Sequence, residues 1–202
     1  MQRRTLLKGL AALVPAGLGA SSLLAFGRQA FALGGILPTL NSPAPDFNLP
    51  GIAPAANGQV LETRLTLEDF RGRWLVLYFY PRDFTGGCTL EARGFQKDLM
   101  AFQAADAAVV GVSADDPDSH ADFCSSEGLA FPLLSDPAGT VSRAYGSWIA
   151  PFSQRHTFLI DPSGILRSTW VAVRPSGHSA EVLTSRRELQ ASGSGANSAN
   201  WS

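Results

Sequence analysis

Pro81-Arg82-Asp83-Phe84-Thr85-Gly86-Gly87-Cys88-Thr89-Leu90-Glu91 decides how the rest of this chain is read. The apolar run before it, Trp74 to Tyr80, has the length and composition of a buried strand. After it, Ala92, Phe95, Leu99 and Phe102 recur at helical spacing, which predicts a helix from Cys88 to Ala104. Cys88 therefore falls at or near a helix N-terminus, just past a strand of a parallel sheet. Unpaired backbone N–H groups and the positive end of the helix dipole collect there. Both favour a thiolate, the nucleophilic form of cysteine. Gly86 and Gly87 let the backbone approach a small ligand. Thr85 sets a hydroxyl three residues ahead of the sulfur, and Pro81 ends the strand. On composition alone, Cys88 reads equally well as a buried apolar residue or as half of a structural disulfide.

Outward from this stretch, the chain alternates between strand and helix patterns. Ala108–Ser113 is a second apolar strand. Asp116-Pro117 opens a helix with Asp as N-cap and Pro at its first position, and Gly128 closes it. Phe131–Leu134 reads as a short strand and Gly139–Tyr145 as a short helix. Thr157–Asp161 and Ile165–Val173 read as strands around the turn Pro162-Ser163-Gly164. Ser179–Leu189 is a last amphipathic helix. This order predicts an α/β sandwich with a mixed central sheet. Residues 33–73 predict a small hairpin on one edge, with Ile52 to Gln59 as a lengthened loop and Asn57-Gly58 as its turn.

The two ends read differently. Residues 1–32 have the features of an export signal: Arg3-Arg4-Thr5-Leu6-Leu7-Lys8, an uncharged stretch from Gly9 to Gly27, and Ala30-Phe31-Ala32 as a small-x-small cleavage site. The alternative is an uncleaved membrane anchor, which Pro15 and the glycines of the stretch disfavour. Cleavage would leave no stable membrane insertion. Residues 190–202 read as a disordered tail, so the folded domain is expected over 33–189. A formal net charge of −1 gives no electrostatic case for nucleic acid or an anionic membrane. Three scattered histidines and two cysteines make no metal cluster, and no cofactor is expected.

The central stretch resembles the peroxiredoxins, which carry Pro-x-x-x-Thr-x-x-Cys before their active-site helix. Pro81, Thr85 and Cys88 match that pattern. The flanks Tyr-Phe-Tyr-Pro-Arg-Asp and Cys-Thr-Leu-Glu-Ala are most similar to the Q-type, or bacterioferritin-comigratory-protein, subgroup. The resemblance runs from about Ala44 to about Leu189 and implies a thioredoxin-like fold. It implies that Cys88 attacks a hydroperoxide and becomes a sulfenic acid. Arg155, just before the strand His156 to Asp161, matches the family's catalytic arginine. Thr85 and the backbone N–H groups of Gly87 and Cys88 would hold the peroxide oxygens. A thioredoxin-like reductant is the implied partner, and a monomer the implied state. With the export signal, the implied place of work is a periplasm or a thylakoid lumen.

The chain also departs from the subgroup. Gly86 stands where many members have Pro, and Arg93 where many have a resolving cysteine. The remaining thiol is Cys124, 36 residues on (124 − 88 = 36), in the next helix. Some members resolve from that helix, so the resemblance implies a Cys88–Cys124 disulfide; a buried helical cysteine with no role is the alternative. A bridge needs Cα atoms within about 7 Å, so the first turn of the Cys88 helix would have to unwind. His120, four residues before Cys124, reads as a partly exposed surface histidine that is also in position to activate the thiol. Glu91 suits the helix dipole and pairing with an arginine. Trp148, Phe84 and Phe152 are candidates for apolar walls, with core packing the simpler account. Two other functions compete. A thiol–disulfide oxidoreductase would usually carry Cys-x-x-Cys, but Glu91 occupies the second position. A non-enzymatic exported domain would use both cysteines in a permanent bridge.

Overall fold

The computed structural model describes residues 31–32, 34–55 and 59–197. The signal through residue 30 and the Asn57-Gly58 turn lie outside the described residues. Phe31–Ala32 (β1) pairs with Gly35–Ile36 (β2). Asn48–Pro54 (β3) and Val60–Thr66 (β4) form an antiparallel hairpin, followed by a 3-10 turn at Leu67–Phe70. Then come Trp74–Phe79 (β5), Gly86–Ala104 (α1), Ala107–Ser113 (β6), Pro117–Glu127 (α2) and Leu133–Ser135 (β7). Thr140–Ala144 (α3) and a small hairpin of Trp148–Ile149 (β8) with Phe152–Ser153 (β9) lead to His156–Ile160 (β10), Leu166–Trp170 (β11) and His178–Asn197 (α4).

Among the described residues, seven strands make the main sheet, in the order β11-β10-β5-β6-β7-β3-β4. β5, β6 and β7 are parallel, and the other pairings are antiparallel. Sequence alternation explains why both faces are covered. Leu75, Leu77 and Phe79 of β5 join Val110, Val112, Phe158 and Ile160 in one core. Val76, Tyr78 and Tyr80 join Phe95, Phe102, Phe123, Leu133 and Val182 in the other. A strand buried on both sides reads as an unbroken apolar run, as β5 does. The mixed sheet between helices is the α/β sandwich expected.

Several boundaries differ from the sequence reading. α1 begins at Gly86, so both glycines lie in its first turn; Thr85 caps it in an extended conformation, with φ −92° and ψ 143°. Ile52 to Pro54 are strand rather than loop. β7 pairs only with Gly51 and Ile52, so neither Pro50 nor Pro54 faces a ladder position on β7. The strands come close there: a β-carbon built on Gly51 would collide with the Leu133 carbonyl oxygen, so only glycine fits. α4 continues past Leu189 to Asn197, where a disordered tail was expected. Arg186 donates to Gln190 at 2.8 Å one turn on, which carries the helix through that point.

Candidate active site

The end of β5 and the tip of α1 position Cys88. β5 ends at Phe79, Pro81 turns the chain, and Thr85 starts the helix three residues before Cys88. The first bond across that cap is from Thr89 N–H to the Thr85 carbonyl, 2.8 Å. The N–H groups of Gly86, Gly87 and Cys88 precede it and have no acceptor within the helix. They gather at the helix tip, where anions are stabilised. Thr85 and Gly86 lie at the surface, while Cys88 is 1 % exposed just beneath them. The Thr85 hydroxyl donates to the Arg82 carbonyl at 3.0 Å, which ties the loop to itself.

Arg155 arrives from the residue before β10, as the sequence reading placed it. Its Nη2 donates to Cys88 Sγ at 3.2 Å, and its Nη1 to Glu91 Oε2 at 2.5 Å. One guanidinium thus spans two residues of α1 that face the same way. Burial works against the guanidinium charge, but Glu91 and Cys88 more than offset it, so Arg155 titrates above its ordinary value. Glu91 is 1 % exposed. Burial pushes its carboxyl up to about 7, against the opposing pull of Arg155. A planar fork that binds carboxylate and sulfur together holds the charge at a fixed point over the sulfur. Gly87 makes the approach possible, since Arg155 Nη2 lies 3.1 Å from where its β-carbon would stand.

Cys124 is also a free, buried thiol, in the same core as Cys88 but on α2. Burial, and then the charge of Asp83, pushes it up to about 12. Arg93 donates to Glu127 at the end of α2 at 2.5 Å, so the position of the missing resolving cysteine instead ties α1 to α2.

His120 is the main correction. It was expected at a helix surface and is fully buried. Its Nδ1 lies 2.9 Å from Asp83 Oδ2, and the Tyr80 hydroxyl donates to Asp83 Oδ1 at 2.8 Å. Asp83 stands in the quoted motif and Tyr80 closes the apolar run before it, but neither received a role. The signal was a carboxylate three residues after the apolar run ends at Tyr80, which is weak. Phe84 and Phe152 are not core, at 56 % and 38 % exposed. Phe84 sits edge-on to Phe123 with ring centres 5.1 Å apart, and Arg82 lies over Phe152 at 6.0 Å. Trp148 is half-buried, with the Arg143 guanidinium 5.2 Å over its ring. Among the described residues no three His, Cys, Asp or Glu side chains are grouped to hold a metal.

A thiol at a helix tip, under a fixed cation and beside open N–H donors, is the equipment of a cysteine-based peroxidase. The AhpC/TSA family matches residues 40–169, and the chain belongs to it. Peroxiredoxin Bcp of Xanthomonas campestris pv. campestris is 39 % identical over 153 residues, which cover 71 % of this chain and 91 % of that one. A mitochondrial thioredoxin-dependent peroxide reductase of Drosophila melanogaster is 37 % identical over 153 residues, covering 71 % of this chain and 63 % of that one. A solved structure of Xanthomonas campestris peroxiredoxin Q superimposes with a TM-score of 0.63 at 35 % identity, covering 70 % of this chain and 90 % of that one. The fold is the thioredoxin-like fold of these peroxiredoxins, and the activity is that of a thiol peroxidase.

Proposed function

We propose that this peroxidase reduces hydrogen peroxide and organic hydroperoxides at Cys88, resolves the product with Cys124, and is recycled by a thioredoxin-like dithiol. The observation that carries the reading is the 3.2 Å approach of Arg155 Nη2 to Cys88 Sγ at the tip of α1. The Cys88 thiolate attacks the terminal peroxide oxygen and the O–O bond breaks. Water or an alcohol leaves after taking up a proton, and the sulfur becomes a sulfenic acid. Arg155 and the N–H groups of Gly87 and Cys88 face the charge that develops on the oxygens. Thr85 holds the loop that presents them, and Pro81 fixes the exit of the chain from β5.

Cys124 then displaces the sulfenic oxygen as water and closes a disulfide. Solved structures of the Xanthomonas campestris protein with one or the other of two cysteines replaced by serine separate those cysteines by 36 residues, as Cys88 and Cys124 are separated here. That match supports the pairing. A further structure of that relative concerns its alkyl peroxide reduction, which supports organic substrates. The name of the Drosophila relative supports a thioredoxin-like donor. The reading includes a monomer, exported by the twin-arginine signal to a periplasm or thylakoid lumen.

The test is oxidation with one equivalent of peroxide, followed by digestion without reductant. A Cys88–Cys124 peptide is expected. Sulfenic or sulfinic Cys88 with free Cys124 would replace the disulfide with a one-cysteine cycle. N-terminal sequencing of the exported protein tests the signal, and a start at Met1 would refute cleavage.

A further inference from the structure

The Tyr80–Asp83–His120 cluster is a buried polar group that attack at Cys88 does not use. Asp83 Oδ1 accepts from Tyr80 at 2.8 Å. Oδ2 accepts from Ser119 Oγ at 2.8 Å and lies 2.9 Å from His120 Nδ1. Asp83 is 4 % exposed and His120 is fully buried. With the Nδ1 proton committed to the carboxylate, the neutral ring offers Nε2 as a lone-pair acceptor. Nε2 is buried and has no hydrogen-bond partner. Buried orphan acceptors are rare and mark either a structural cost or a chemical task.

Cys124 lies one turn further along the same face of α2. Its thiol, pushed up to about 12, supplies almost no thiolate at neutral pH. Resolution needs that thiolate. The groups around His120 come from three directions. Tyr80 and Asp83 come from the end of β5 and the loop after it. Ser119 and Cys124 share its helix, and Asp115 is linked through the Asp83 backbone N–H at 2.9 Å. Tyr78 of β5 lies within the electrostatic reach of both Cys124 and Asp83.

We propose that His120 is the base that takes the Cys124 proton in the resolving step, with Asp83 holding Nδ1–H and balancing the imidazolium. The inference rests on Cys124 being the resolving thiol. The Sγ–Nε2 contact is absent at rest and forms when the Cys124 side chain swings out of its core position past His120, as catalytic hydrogen bonds often tighten only in the reacting complex. The Cys124 proton passes to Nε2, and the sulfur's electron pair forms the S–S bond. The S–O bond of the Cys88 sulfenic acid breaks, and the departing hydroxide takes the proton back from Nε2 and leaves as water. A carboxylate that orients a histidine, which in turn deprotonates a thiol, is the logic of an activated nucleophile.

His120→Asn keeps an amide N–H toward Asp83 and has nothing in place of Nε2. The experiment mixes reduced protein with one equivalent of hydrogen peroxide and follows disulfide formation from pH 5.5 to 9.5. In wild type the resolving rate is expected to be level above neutrality. In H120N it falls about 100-fold at pH 7 and climbs about tenfold per pH unit, while the earlier peroxide-consuming burst keeps its rate. An H120N protein with the wild-type rate and profile overturns the inference, and so does one slowed by one constant factor at every pH. If H120N does not fold, the wild-type profile decides. A plateau supports the base, and a tenfold rise per unit through pH 9 refutes it. Wild type that forms no Cys88–Cys124 disulfide refutes the Cys124 reading itself, and is told apart by its free Cys124.

Discussion

A side chain at position 87 would press on the guanidinium of Arg155: the β-carbon of an alanine there would stand 3.1 Å from Nη2. That separation is tighter than ordinary packing, so the arginine has to give by a few tenths of an ångström. The hydrogen of Gly87 is therefore part of what positions the cation over Cys88. Gly87→Ala should lower kcat/KM for hydrogen peroxide about tenfold, since small misplacements of catalytic groups are costly. Alanine is also the better helix former by about 0.5–1 kcal/mol, so the melting temperature should hold or rise. Stopped-flow oxidation and a thermal melt on the same sample check both. Unchanged kinetics would show that Arg155 does not need its present position.

Arg155→Lys keeps the charge but not the fork. A single ammonium cannot reach Glu91 and Cys88 together as Nη1 and Nη2 do. The rate of Cys88 oxidation should fall about 100-fold or more. Rapid-mixing measurement of the sulfenic acid, trapped with a dicarbonyl reagent, reads the step directly.

Glu91 gives the chain a pH signature. Its folded value is pushed up to about 7 from an ordinary 4.5. Between those values the folded protein binds more protons at this site than the unfolded one, so this site lowers stability as pH rises through that window. Below about 4.5 both states are protonated and the penalty is absent. Glu91→Gln removes the titrating group, and its difference in melting temperature from wild type should grow as pH rises from 4.5 to 7. A difference that is flat across that range would rule out the raised carboxyl.

Thr85→Val deletes the hydroxyl that closes the loop onto the Arg82 carbonyl. The fold should survive, because Thr85 is exposed. Peroxidase turnover should fall about 100-fold, and Thr85→Ser should restore most of it. Wild-type turnover in the valine variant would remove Thr85 from the site.

Away from the site, Arg186 is 2 % exposed, bonds the Ala105 carbonyl at the end of α1 and lies 4.7 Å over the Trp74 ring. Arg186→Ala should cost about 2 kcal/mol through lost packing and an orphaned carbonyl. Chemical denaturation measures it, with peroxide kinetics expected to stay as in wild type.

Local signals carried most of the fold. β5 is an uninterrupted apolar run, and α2 begins with Asp116 accepting from Ser119 N–H at 2.8 Å and ends at Gly128 in the left-handed region, as its sequence predicts. The β8–β9 hairpin was missed because two-residue strands leave no periodicity to detect. In the site, Cys88 was legible from its strand-turn-helix setting. Arg155, 67 residues away, was reached only through family resemblance. The Asp83–His120 pair was not legible at all. Helical spacing says which side chains share a face, not how deep that face lies, and the two residues are 37 apart.

Gly51 leads to a different kind of conclusion. The seam between β3 and β7 leaves room for a hydrogen atom and nothing larger, and Ile52, its neighbour, shares a core with Cys124. Any mutation of that codon to another amino acid would prise the hairpin off the sheet and loosen the shelter around the second thiol. A sequence variant at position 51 should thus surface as a redox defect, although the altered residue belongs to neither cysteine's helix.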